Sequence, residues 1–510
     1  MDIKRAKAEI KDAIESYLQK DRYGEYCIPV ESQRPILLIG PPGIGKTAIM
    51  RQVATECGIA LVPYTITHHT RQSAIGLPFI EHKVYGGKEY AVTEYTMSEI
   101  VAAVYEQMEE TGLSEGILFI DEINCASETL APAMLQFLQY KTFGSHQIPE
   151  GWMIVAAGNP PQYNKSVREF DIVTLDRVKK IEVTEDYGVW REYAVEQQVH
   201  DAILSFLDLK PESFYTVKNT AEGKVFVTAR GWEDLSKLLY VYEALGKKAD
   251  RFVVGQYLQQ EKTAKDFAAY LELYYKYQAD YAIGDILQGH WTDRQVDRLR
   301  LASFDERMGV ICLLFDGLNQ KFRACYESDL YLTDLMERLK EAKERLLSSS
   351  KRGEEVLQAF LEEERQKYLQ KKKAKLWKKE EDHRLQAVLE TMEGYVQEVK
   401  KEGIADGEGV FTLIKGLFAK EVDEAEAAKE NTSAALEMAF TFLETVFREG
   451  QELVFFVTRL NSGFYSIWFI NENGSTAFYR HNQNLLYKQQ QRTILKEMDE
   501  IRTLLQSKED

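Results

Sequence analysis

Lys46 and Thr47 close the run I-L-L-I-G-P-P-G-I-G-K-T at residues 36–47, and no other stretch asks so directly for a ligand. An ammonium group and a hydroxyl behind a glycine-rich turn suit a polyphosphate. The lysine reaches β- and γ-phosphate oxygens as a compact charge, and the hydroxyl ligates Mg²⁺. Gly40, Gly43 and Gly45 allow positive φ and leave no Cβ between successive N–H groups and a bound anion. Gly40, Pro41, Pro42, Gly43, Ile44, Gly45, Lys46, Thr47 and Ala48 are therefore the expected phosphate-binding residues.

Asp121 and Glu122 end a second apolar run, G-I-L-F-I at 116–120. Beside a phosphate cradle, Asp121 can join Thr47 in holding Mg²⁺, and Glu122 can orient or deprotonate an attacking water. A third apolar run, W-M-I-V-A-A at 152–157, is closed by Gly158-Asn159-Pro160-Pro161. The Asn159 amide could contact a γ-phosphate or the lytic water, and by itself reads equally well as a turn residue. Arg168, Arg177 and Arg230 follow; spacing alone gives Arg230 no role. His68 and His69 are adjacent, so they cannot share a helical face as metal ligands, and a hydrogen-bonded structural pair is expected.

These residues need a parallel sheet to hold them. The run 36–39 is apolar without alternation, the pattern of a strand buried on both faces, and a helix-like run over 48–57 follows the glycine turn. Further strands are expected at 60–66, 116–122, 152–157 and 178–183, with helices at 97–110 and 127–140. Two β-rich arms around Gly86-Gly87 predict a hairpin over 79–95, and 141–149 predicts a second hairpin or extended loop. Ile3, Ala6, Ile10, Ala13, Ile14 and Tyr17 define the buried face of a leading helix, 3–19. Beyond 186 the chain turns helical, at 190–207 and 231–245, with a short strand pair at 214–217 and 224–227. Phe267, Tyr270, Tyr274, Tyr275 and Tyr277 read as helix packing rather than a base-stacking platform. The run K-K-K-A-K-L-W-K-K at 371–379 reads as the solvated face of a long helix. A break at 403–409 precedes helices at 411–418, 434–447 and 483–505, while 452–470 fits strands or a buried helix.

At 510 residues the chain should hold two to four domains, and with 45% hydrophobic residues it can bury real cores. A net charge of −17 argues against a coat for nucleic acid or an anionic membrane. Five scattered cysteines without a C-x-x-C pair fit reduced thiols rather than disulfides or zinc. No apolar run is long enough to span a bilayer, and the expected compartment is the cytoplasm.

The ordered set G-P-P-G-I-G-K-T, I-L-F-I-D-E, A-G-N-P, L-D-R and T-A-R-G-W resembles the AAA+ ATPases, and within them the MoxR group of the helix-2-insert clade. The resemblance covers roughly residues 1–285, with the two predicted hairpins where that clade carries its helix-2 insert and its pre-sensor-1 hairpin. It implies an α/β P-loop NTPase core with a parallel sheet, a helical lid and, after it, a mainly α-helical C-terminal region. The expected domains are 1–185, 186–285 and 286–510. It makes Asp121 and Glu122 the Walker B pair, Asn159 sensor 1, Arg177 the arginine finger with Arg168 as a second candidate, and Arg230 sensor 2.

The implied activity is ATP hydrolysis with Mg²⁺, catalysed through Glu122, Lys46, Arg177, Asn159 and Arg230. The implied assembly is a homo-oligomer, commonly a hexameric ring. It would remodel or mature a protein partner, as the MoxR group generally does beside von Willebrand factor A domain proteins. Two other functions are open at this stage: a nucleic-acid-dependent motor, against which the acidic total counts, and a nucleotide-gated scaffold, against which Glu122 counts.

Overall fold

Three runs in the first 185 residues, 36–39, 116–120 and 152–157, are too apolar to leave either face in water, and they pair side by side at the centre of one parallel sheet. In the computed structural model, which describes residues 1–68, 74, 76–143, 146–163, 167, 170–220, 223–349, 351–373 and 379–483, the strands are β1 (Ile36–Ile39), β2 (Ala60–Thr65), β5 (Gly116–Asp121), β8 (Trp152–Gly158) and β9 (Lys179–Glu182). Their order is β2-β5-β8-β1-β9, every pairing parallel. Alternate side chains feed two cores. On one face Leu37, Leu118, Ile120 and Ile154 meet the helices Glu99–Thr111 and Ala131–Tyr140. On the other, Leu38, Ile117, Phe119 and Val155 meet the leading helix Ile3–Leu18 and the helix Lys46–Cys57. Each fully buried side chain of this size contributes roughly 1.5–3 kcal/mol. The predicted leading helix forms and buries Ala6, Ile10, Ala13 and Ile14.

The two predicted hairpins form: β3 (Pro78–Tyr85) with β4 (Lys88–Tyr95), and β6 (Thr142–Phe143) with β7 (His146–Gln147). The predicted helix 190–207 is instead two helices, Tyr187–Glu196 and Asp201–Leu209. Gln198 takes φ 56° between them, and His200 Nδ1 caps the second helix by accepting from Ala202 N at 3.1 Å. The break does not disturb the apolar period, because Val199 inside it is buried. After β10 (Thr216–Thr220) and β11 (Gly223–Val227), the helix Ala229–Ala244 carries Arg230 in its first turn.

The chain divides into two compact units, Met1–Lys265 with Gln366–Asp382, and Asp266–Arg365 with His383–Asp510. The strand-bearing region and most of the expected lid thus share the first unit. The second unit is built around the helices Phe304–Ser348 and Gly407–Phe447, the latter replacing two predicted shorter ones. The ambiguous stretch 452–470 lies in two helices, Gln451–Ser462 and Phe464–Asn473. Phe267, Tyr274 and Tyr277 are buried, as the packing reading expects. Among the described residues no single helix is long and apolar enough to cross a membrane; only taken together do Gln451–Ser462 and Phe464–Asn473 reach that length and apolar composition, and they are bent by 90°. Residues 374–378 of the basic run, the predicted helix 483–505 beyond Gln483, His69 and Arg168 lie outside the described residues.

Candidate active site

In open parallel sheets the carboxyl ends of adjacent strands leave a crevice where ligands bind. Here β1 ends in the glycine loop, β5 in Asp121-Glu122 and β8 in Gly158-Asn159. β8 lies between the other two, with Ile39 opposite Gly158 and Ile120 opposite Ala156. Asn159 therefore stands between the loop and the carboxylates.

Gly43 (φ 73°) and Gly45 (φ 94°) adopt the left-handed conformation that the sequence requires. Gly40 does not need it. Its reason to be glycine is close packing, since a Cβ there would lie 3.0 Å from both Val183 O and Ile44 Cδ1. Gly45 starts the helix Lys46–Cys57 without a side-chain cap, so the first N–H groups are left for an anion.

The Lys46 ammonium donates to Gly40 O at 2.7 Å, Pro41 O at 2.8 Å and Asn159 Oδ1 at 2.8 Å. It is buried, and desolvation pulls its pKa down to about 8; Asp121 and Glu122 oppose the shift and Arg230 reinforces it. A polyphosphate would restore the proton. The free site loses it near pH 8 while the bound site keeps it, so binding above that pH must take up a proton. Affinity for a non-hydrolysable ATP analogue should be flat below pH 8 and fall by up to about tenfold per pH unit above it. Calorimetric titration across this range should show the decline in the parent and a flat, weak profile in Lys46→Met.

Thr47 Oγ1 donates to Asp121 Oδ2 at 2.9 Å, and Glu122 N donates to Asp121 Oδ1 at 2.9 Å. A hydroxyl and a carboxylate in contact form a hard oxygen pair of the kind that holds Mg²⁺, which takes few protein ligands and keeps several waters. Glu122 itself has φ 57°, turning the chain sharply at the strand end.

A cavity of about 460 Å³ opens over these groups, lined by Lys46, Thr47, Asp121, Glu122, Asn159 and Arg230 among others. Pro42, Gly43, Ile44, Gly45 and Ala48 also face it, while Gly40 and Pro41 act beneath it through their carbonyls. Arg177 is elsewhere: it is exposed, follows the short helix Ile172–Asp176, donates to Gln139 Oε1 and does not line the cavity.

Tyr215, Thr228 and Arg230 clasp the loop. Tyr215 OH donates to Pro42 O at 2.9 Å, Arg230 N donates to Gly43 O at 3.3 Å, and Thr228 packs on Gly43. Trp190 and Glu233 line the same cavity and are joined by Nε1 to Oε1 at 3.3 Å; burial pushes the Glu233 carboxyl above its ordinary pKa. Sequence reasoning missed Tyr215, Trp190 and Glu233, which lie in strand and helix patterns with no phosphate signature. It also missed Asn124, although that residue sits only two places after Glu122.

Comparison with known proteins matches residues 36–185 to the family model described as ATPase family associated with various cellular activities (AAA). The chain is similar to Protein SAV of Sulfolobus acidocaldarius, 31% identical over 123 residues, a stretch that is 24% of this chain and 13% of that protein. Among solved structures, a mutant RuvB from Thermotoga maritima aligns with 40% of this chain and 52% of its own, at 17% identity and a TM-score of 0.24. The family match begins at the first residue of β1 and ends just past β9, so it frames the same five strands that hold the cavity. Residues 36–185, under a third of the chain, thus match an AAA ATPase domain, and the phosphate-loop, carboxylate and amide motifs all lie inside that segment.

Proposed function

We propose that the chain works as a ring, commonly hexameric, in which each ATP is bound by one subunit and completed by Arg177 of the next. Hydrolysis is coupled to remodelling or maturation of a protein partner, as in the MoxR group that the motifs resemble, and the partner class implied is a von Willebrand factor A domain protein. The observation that carries the reading is the position of Arg177: an exposed arginine off the cavity serves the reaction only from another copy.

In this scheme residues 40–48 cradle the phosphates and Lys46 balances charge on the β- and γ-groups. Thr47 and Asp121 hold Mg²⁺, which when bound neutralises phosphate charge. Glu122 aligns the attacking water, Asn159 contacts the γ-phosphate, and Arg230 ties lid position to nucleotide.

The test is assembly and capture. Glu122→Gln with ATP should run as a ring in light scattering and retain a protein bearing a von Willebrand factor A domain through purification, whereas Lys46→Ala should do neither. A monomer in saturating ATP would overturn the ring. ATPase rates that rise with DNA or RNA and fall steeply with salt would replace the protein partner with nucleic acid.

A further inference from the structure

We infer that Asn124, buried under the cavity floor, is a positioning residue for Asn159 during hydrolysis; this rests on reading Asn159 as the γ-phosphate contact. Asn124 belongs to the single turn Ile123–Cys125 that follows Glu122, and only 6% of its surface is exposed. Its Nδ2 donates to the backbone oxygen of Asn159 at 2.8 Å.

Asn159 is held from three sides. Lys46 Nζ binds its side chain at 2.8 Å, Gly40 N binds the carbonyl of Gly158 at 3.2 Å, and Asn124 binds its own carbonyl. The first two anchors come from the phosphate loop. The third comes from the turn that carries Glu122, so it locks the water-aligning carboxylate and the γ-phosphate amide into one frame.

A packing role alone does not account for an amide at this position. Asn124 Oδ1 is buried and has no hydrogen-bond partner among the described residues, an unfavourable arrangement that an aliphatic side chain would avoid. Gly158 accommodates it at close quarters: a Cβ there would lie 2.6 Å from Oδ1 and 2.8 Å from Cγ of Asn124. Two residue choices, at 124 and at 158, thus serve one hydrogen bond to the carbonyl of Asn159. Misplacing a reacting group by about an ångström can cost around 100-fold in rate, so the bond has a kinetic reason to persist.

Asn124→Asp keeps the shape and replaces the donating NH₂ by an oxygen that repels the carbonyl. Gly158→Ala leaves Asn124 in the chain and drives its amide away. Each should lower kcat about 10- to 100-fold while leaving the Kd for a non-hydrolysable ATP analogue within about twofold. The decisive readout is coupling. In an Asn159→Ala background, Asn124→Asp should cost nothing further, because the side chain it positions is gone.

A cost that adds in full in that background overturns the inference, as does a joint fall of kcat, affinity and melting temperature. If Asn124→Asp fails to fold, Gly158→Ala supports the same comparison. Asn159→Ala alone separates the two readings. Parental turnover in that variant removes the γ-phosphate role and the inference with it, whereas an impaired Asn159→Ala beside fully active Asn124→Asp and Gly158→Ala removes Asn124 only.

Discussion

Glu122→Gln should bind ATP with parental affinity and hydrolyse it about 10²- to 10⁴-fold more slowly, the usual contribution of a positioned general base. The substitution keeps the volume, the amide can still hydrogen-bond water, and the negative charge is lost. Binding should survive because the expected phosphate and Mg²⁺ contacts do not use the Glu122 side chain: Lys46, the first N–H groups of the helix Lys46–Cys57, and the Thr47–Asp121 pair at 2.9 Å. Asp121 also keeps the bond from residue 122 N to Oδ1, which is a backbone contact and indifferent to the side chain. Single-turnover measurement with limiting ATP isolates the chemical step from product release. A single turnover at the parental rate would exclude Glu122 as the base and turn attention to other carboxylates on the cavity, such as Glu185, Asp186 and Glu233. Affinity that falls along with rate would show that the charge of Glu122 shapes the ground state, as its pull on the Lys46 proton indicates it could.

The parts of this site that were legible in the sequence are those whose chemistry is local. Gly43 and Gly45 are needed where they stand because φ is positive there, and a run of twelve residues contains both the cradle and the two groups that use it. Asp121 and Glu122 were legible because an apolar strand has to end, and an ending in two carboxylates is unusual enough to read. Long-range geometry was not legible in this way. That β8 rather than β5 lies next to β1 follows from sheet pairing, and only that order puts Asn159 within 2.8 Å of Lys46.

Asn124 was invisible for the same reason, since its partner is a backbone carbonyl 35 residues away. The clasp by Tyr215 and Thr228 depends on how the chain around these two residues runs back over the loop, which no periodicity encodes. The break at Gln198 was missed for the opposite reason. Burial of Val199 continues the three- and four-residue spacing through a point where the helix stops. In the second unit, Arg459 is buried with Cys312 Sγ as acceptor at 2.8 Å and the Asp316 carboxylate at 3.8 Å, two partners that lie more than a hundred residues before it in the chain.

Arg177→Ala should cut turnover by about 10³- to 10⁵-fold, the range by which an arginine supplied to a γ-phosphate accelerates its transfer, while leaving ATP affinity nearly unchanged. Folding should not suffer. The residue is exposed, its guanidinium has Gln139 as a polar partner, and the backbone bond from Arg177 N to Thr174 O at 3.1 Å survives truncation. Leu175 and Phe170 still pack this segment against the core. The rate loss alone does not distinguish help within one chain from help across two, but mixing does. Arg177→Ala retains an intact Glu122, and Glu122→Gln retains an intact Arg177. Where a ring places them side by side, one interface in the mixture combines both intact groups and regains turnover. Two variants inactive by themselves should therefore recover a substantial fraction of parental activity when mixed, rising with protein concentration as rings assemble. If Arg177 served its own subunit, no mixed assembly would hold a complete site, and the mixture would stay as inactive as its parts.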